Sequence, residues 1–134
     1  IPQTLWPIIQ GGTHTDLRRR SAEGTLERGP WTGIAIGGLS VGEPKTVMHR
    51  VIEELTPVIP ADVPRYLMGV GFPADLLEGI ARGIDLFDCV AATRNGRHGT
   101  AWLPAGRDGD DASVLHEPAP TITDVGIYIC GPPA

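Results

Sequence analysis

Asp88 stands near the end of the apolar run Ile84-Asp85-Leu86-Phe87-Asp88-Cys89-Val90. A carboxylate in that place can act as a nucleophile or base, although taken alone it reads more commonly as a cap or loop partner. Asp85, three residues earlier, points to the opposite strand face and reads as salt-bridged or capping. The segment Gly37-Gly38-Leu39-Ser40-Val41-Gly42 resembles a phosphate loop but lacks the Lys-Ser/Thr ending, which argues against a nucleoside triphosphate site. Arg18-Arg19-Arg20 could touch RNA, yet on a helix such a run reads as a solvated face. Cys89 reads as a small core residue, and His98 beside Arg97 as a solvated loop histidine. Cys130, with His116 ahead of it, provides too few ligands for tetrahedral zinc, so no metal site is expected.

Positioning such groups requires a scaffold, and the sequence shows a strand, turn and helix rhythm. Four apolar runs of strand length recur, at 6–10, 33–36, 65–70 and 84–90, and the first three run into glycine. Between them, 43–56 predicts a helix with Val47, Met48, Val51, Ile52 and Leu55 on one stripe, Pro44 in its first turn and Pro57 at its end. A second helix is expected from Pro73, with Leu76, Leu77, Ile80 and Ala81 on its inner side and Gly83 as its stop. Segment 13–28 predicts a third, with Thr13 as N-cap and Leu17, Ala22 and Leu26 facing inward. Strands alternating with single helices imply right-handed βαβ units and a parallel sheet. Its carboxyl edge would gather Gln10, Gly38, Met68 and Asp88. A full (β/α)8 barrel needs about 250 residues, so four strands in the first 103 residues make about half of one.

The composition changes after Leu103. The 134 residues carry a net charge of −5, of which −1 lies in residues 1–103 and −4 in residues 104–134. A chain of that sign is no general nucleic-acid binder, and any such contact must be local. Residues 104–120 read as loop or disorder, with Val125–Ile129 as one short strand in an otherwise irregular tail. The two cysteines suit a reducing, cytoplasmic setting, and no apolar run approaches membrane-spanning length.

The blocks IIQGGTHTDLRRRSAE, AIGGLSVGEP, PRYLMGVGFPADLLE and RGIDLFDCVAATRNGRHGTA, in this order, resemble the tRNA-guanine transglycosylase family, also called queuine tRNA-ribosyltransferases. The likeness runs from Pro7 to Trp102 and is read as lapsing beyond it. It implies the C-terminal half of a catalytic TIM barrel over residues 1–103, followed by an irregular tail over 104–134.

The resemblance also implies a reaction, in which guanine at a tRNA wobble position is exchanged for a 7-deazaguanine precursor of queuosine. Asp88 would be the nucleophile, forming a covalent ribosyl intermediate as retaining glycosidases do. Gln10 and the backbone of Gly38 and Leu39 would read the base, with Met68 packed on its face. Gly69, Val70, Gly71, Phe72, Pro73, Ala74 and Asp75, together with Thr93, Arg94, Asn95, Gly96 and Arg97, would surround the flipped-out nucleotide, the arginines meeting phosphate. The family's acid/base aspartate and its Cys-x-Cys-x-x-Cys zinc group have no counterpart here, so no cofactor is expected in this chain. The partners implied are tRNA, the purine base, and a second copy or another chain that completes the barrel. The alternative reading is a non-catalytic tRNA-binding or accessory subunit.

Overall fold

The computed structural model describes residues 3–97, 101–102 and 114–115. Two compact units divide the chain, Ile1–Cys89 and Val90–Ala134.

The first unit alternates strand and helix: β1 (Ile8–Ile9), α1 (Thr15–Leu26), β2 (Ile34–Ile36), α2 (Lys45–Leu55), β3 (Arg65–Leu67), α3 (Pro73–Ala81) and β4 (Leu86–Phe87). The strands form one parallel sheet in the order β1-β2-β3-β4. This is the arrangement of about four consecutive βα units of a partial TIM barrel. Register sorts the side chains into two faces. Ile9, Ile36, Leu67 and Phe87 align on one face, and Ile8, Ala35, Tyr66 and Leu86 on the other. The first face meets the helices in a core with Met48, Val51, Ile52 and Leu55 of α2. On the second face Ile8 and Leu86 are each 44% exposed.

The helix over 43–56 forms as α2 with its apolar stripe inward, shortened to 45–55 because Pro44 stands outside as its cap and a 3-10 turn at Thr56–Val58 follows. The other two helices depart from the expected faces. α3 turns Asp75 and Gly79 inward and leaves Leu77 and Ile80 exposed, at 71% and 59%. The reason is steric: a Cβ at Gly79 would lie 2.7 Å from the Phe87 ring, so the missing side chain is what lets α3 settle on the sheet. In α1, the cap is His14 rather than Thr13, Leu17 is half exposed, and Arg18 is buried beside Ala22. The run of arginines is therefore a solvated face only at Arg19 and Arg20.

The second unit contains α4 (Ala91–Arg97) and an antiparallel pair, β5 (Ala101–Trp102) with β6 (Val114–Leu115). β6 falls within the stretch 104–120 that was expected to be loop. The expected strand at Val125–Ile129, together with His98, His116 and Cys130, lies outside the described residues. Among the described residues no helix is long and apolar enough to cross a membrane.

Candidate functional site

The last paired row of the sheet is Ile9, Ile36, Leu67 and Phe87, so the next residue of each strand stands at the carboxyl edge: Gln10, Gly37, Met68 and Asp88. Gln10, Gly38 and Asp88 are exposed there, and Met68 is half-buried.

At one end of this row the carboxylate of Asp88 is held through a single oxygen. Its Oδ1 accepts hydrogen bonds from the Tyr66 hydroxyl and from the Gly69 N–H, each at 2.7 Å. Oδ2 accepts none among the described residues. Gly69 can make its bond because it adopts φ +74°, a left-handed conformation that presents its N–H to the neighbouring strand end. The hydrogen bond from Tyr66 to Asp88, followed by partial burial and the carboxylate's charge, raises the phenol's pKa to about 12. Tyr66 was not marked by the sequence, although its spacing of two from Met68, the residue just after β3, places it on the same side of that strand.

At the other end of the row, the Gln10 side chain lies across Gly37 and Gly38. A Cβ would come within 2.8 Å of Gln10 Nε2 at Gly37, and within 2.6 Å of Oε1 at Gly38. Only glycine lets the amide reach the loop. Leu39 is buried, and Glu43 closes the turn behind it by accepting the N–H of Ser40 and, at 3.0 Å, that of Val41. Burial works against the Glu43 charge, but these backbone donors and Lys45 together hold its carboxyl below the usual range.

The residues expected to line a flipped nucleotide have mixed placements. Gly69, Phe72, Pro73 and Ala74 are exposed, whereas Val70 is a core residue at 1% exposure. Gly71 packs under Cys89, where a Cβ would meet that of Cys89 at 2.2 Å. Asp75 is buried, bonded to Lys45 Nζ at 2.5 Å and 3.6 Å from His49 Nε2. Its carboxylate anchors α3 to α2. Thr93, Arg94, Asn95, Gly96 and Arg97 all fall on α4 in the second unit, with Arg94 and Arg97 exposed in its last turn.

Comparison with known proteins fits this arrangement. The family described as queuine tRNA-ribosyltransferase matches residues 2–131, so the likeness continues well past Trp102, where it was expected to lapse. Queuine tRNA-ribosyltransferase of Actinobacillus pleuropneumoniae serotype 3 is 56% identical over 105 residues, covering 78% of this chain and 27% of the relative. The protein of that name from Shewanella sp. (strain W3-18-1) is 53% identical over 121 residues, covering 85% of this chain and 32% of its own. That of Herpetosiphon aurantiacus is 54% identical over 119 residues, covering 88% and 30%. The chain thus spans about three tenths of the length of these relatives. With its parallel sheet and its carboxylate at the carboxyl edge, the chain belongs to the queuine tRNA-ribosyltransferase family.

Proposed function

We propose that this chain supplies the nucleophile and part of the base pocket of a tRNA-guanine transglycosylase. The observation that carries the reading is Asp88, whose Oδ1 is fixed by Tyr66 and Gly69 while Oδ2 accepts no bond among the described residues. Oδ2 attacks the anomeric carbon of the wobble ribose as its bond to guanine breaks, and guanine leaves with the bonding pair and takes up a proton. The resulting ribosyl ester is then attacked by a 7-deazaguanine base, which gives up its ring proton and releases the Asp88 carboxylate. Gln10 and the Gly38 and Leu39 backbone read the purine edge, and Met68 packs on its face. By the family likeness, the exposed Gly69, Phe72, Pro73 and Ala74 of the first unit, and separately 93–97 of the second, are assigned to the flipped nucleotide, with Arg94 and Arg97 as phosphate partners.

No second carboxylate stands in the row Gln10, Gly37, Met68 and Asp88. Without an acid to assist the leaving guanine, the rate falls by about 10²- to 10⁴-fold, so the chain alone is weakly active or inactive. Cys130 with His116 ahead of it is a pair, too few ligands for a tetrahedral zinc set by itself, and the proposed steps run through no metal. The expected setting is cytoplasmic. A second reading, an accessory subunit that completes a barrel with another chain, is favoured by the edges of β1 and β4, each unpaired on one side among the described residues.

Incorporation of labelled guanine into unmodified tRNA tests the proposal, using the chain alone and mixed with the remaining part of a relative's barrel. Incorporation by the mixture that disappears with Asp88→Asn supports the nucleophile. Incorporation that survives the substitution refutes it and leaves the accessory role.

A further inference from the structure

The proposed mechanism makes no use of Arg18, yet this is a buried charged side chain that reaches the site. It is 1% exposed, and its guanidinium spans two loops. Nε donates to the Gly12 carbonyl at 2.6 Å and Nη1 to the Ile9 carbonyl at 3.4 Å, both on the segment that carries Gln10. Nη2 donates to the carbonyls of Gly37 at 2.8 Å and Gly38 at 3.1 Å, on the segment that carries the backbone donors. The planar fork matters, because five N–H groups on three nitrogens can serve four carbonyls on two strand ends. A lysine, with all its donors on one nitrogen, cannot.

Peptide planarity carries the consequence into the site. In a trans peptide the C=O and the N–H point in opposite directions. With the Gly37 and Gly38 carbonyls turned toward Arg18, the N–H groups of Gly38 and Leu39 are turned away from it. The left-handed φ of +65° at Gly38 lets consecutive carbonyls converge on one nitrogen. Neither N–H bonds to another group among the described residues. We propose that Arg18 is a positioning residue for base recognition, fixing the Gly38 and Leu39 N–H groups as paired donors to the oxo group of guanine and holding them in register with Gln10. The inference rests on the assignment of this edge to a purine, and it adds the residue that sets the edge's selectivity for an oxo acceptor.

The test is equilibrium dialysis of the full chain against labelled guanine and against 2-aminopurine, which keeps the ring face and the amino group but lacks the oxo acceptor and, with it, the N1 proton. The unmodified chain should prefer guanine by about tenfold, the worth of a well-made hydrogen bond. Arg18→Lys, with its α2 amide resonances unchanged, should bind the two bases within about twofold of each other, because loss of alignment removes the preference while leaving stacking on Met68. A folded Arg18→Lys that keeps the preference overturns the role of Arg18 and leaves the purine site standing. An unmodified chain that binds both bases equally overturns the oxo selectivity and this inference while leaving the purine site standing, and one that binds neither overturns the purine site and this inference with it. Should the variant not fold, the unmodified chain decides. Guanine must then shift the Arg18 Nη resonances together with the Gly38 and Leu39 amides, more than those of Ser40 and Val41, and an unchanged Arg18 overturns the proposal.

Discussion

Asp88 and Tyr66 show how a carboxylate is aimed by its neighbours. Two donors on one oxygen fix the plane of the Asp88 carboxyl group and leave the other oxygen as its outward atom. The same bond keeps the Tyr66 proton in place, which gives a measurable consequence. The phenol is raised from 10.0 to about 12, so the stabilisation it brings is fully present below pH 10 and is lost as pH rises through about 12. Asp88→Asn removes the charge, and Tyr66 should then titrate close to its ordinary value, followed by its phenolate absorbance or its ring resonances. A Tyr66 that still ionises near pH 12 in the variant would show that the bond is not the cause. Asp88 stood out in the sequence because its block DLFDCV carries the family likeness. Tyr66 did not, because a tyrosine in an apolar strand is ordinary until its partner across the sheet is known. Arg18 was hidden by its neighbours, since Arg19 and Arg20 do face water. Its spacing of four from Ala22 and eight from Leu26 was the signal that it shared their inner stripe.

At the scale of elements, the helices differ in how their burial is achieved, and that decides which substitutions matter. α2 was legible in the sequence because its stripe is built of large apolar residues at helical spacing, and Met48, Val51, Ile52 and Leu55 do form the core. The inner side of α3 was not legible, because it is made by the absence of a side chain at Gly79 and by the ion pair of the buried Asp75 with the half-exposed Lys45. A glycine cannot announce that an aromatic ring sits beneath it. Ile52, wholly buried, and Leu77, 71% exposed, make the contrast testable by chemical denaturation. Ile52→Ala should cost about 2–5 kcal/mol, through lost transfer energy and an unfilled cavity. Leu77→Ala should stay within about 0.5 kcal/mol. Equal losses would mean that α3 packs on its leucine side after all.

At the scale of the molecule, the four-stranded parallel sheet is the frame of the first unit, and its consequences follow from register. Among the described residues β1 and β4 each pair on one side only, so there both present an unpaired edge. Between them the face that carries Ile8, Ala35, Tyr66 and Leu86 leaves Ile8 and Leu86 each 44% exposed, whereas the opposite face is filled by the core. The alternation of strands and helices made this architecture readable from spacing alone. The reading of 104–120 as loop followed from composition, whereas a strand at Val114–Leu115 pairs back to Ala101–Trp102. Charge and glycine content do not record a two-residue antiparallel pair. A sheet with two unpaired edges and an apolar face should gather more chain, and the chain should therefore show concentration-dependent association in sedimentation velocity. Ile8→Lys combined with Leu86→Lys places charge on that face at positions already 44% exposed, so it should weaken association with little cost to the fold. If the double variant associates as before, the contact lies on another surface, with the exposed Leu77 and Ile80 of α3 as the next positions to charge. If it becomes monomeric while its α2 core remains intact, that sheet face is where a completing chain binds. The same substitutions should then abolish the guanine incorporation gained on mixing with the rest of a relative's barrel.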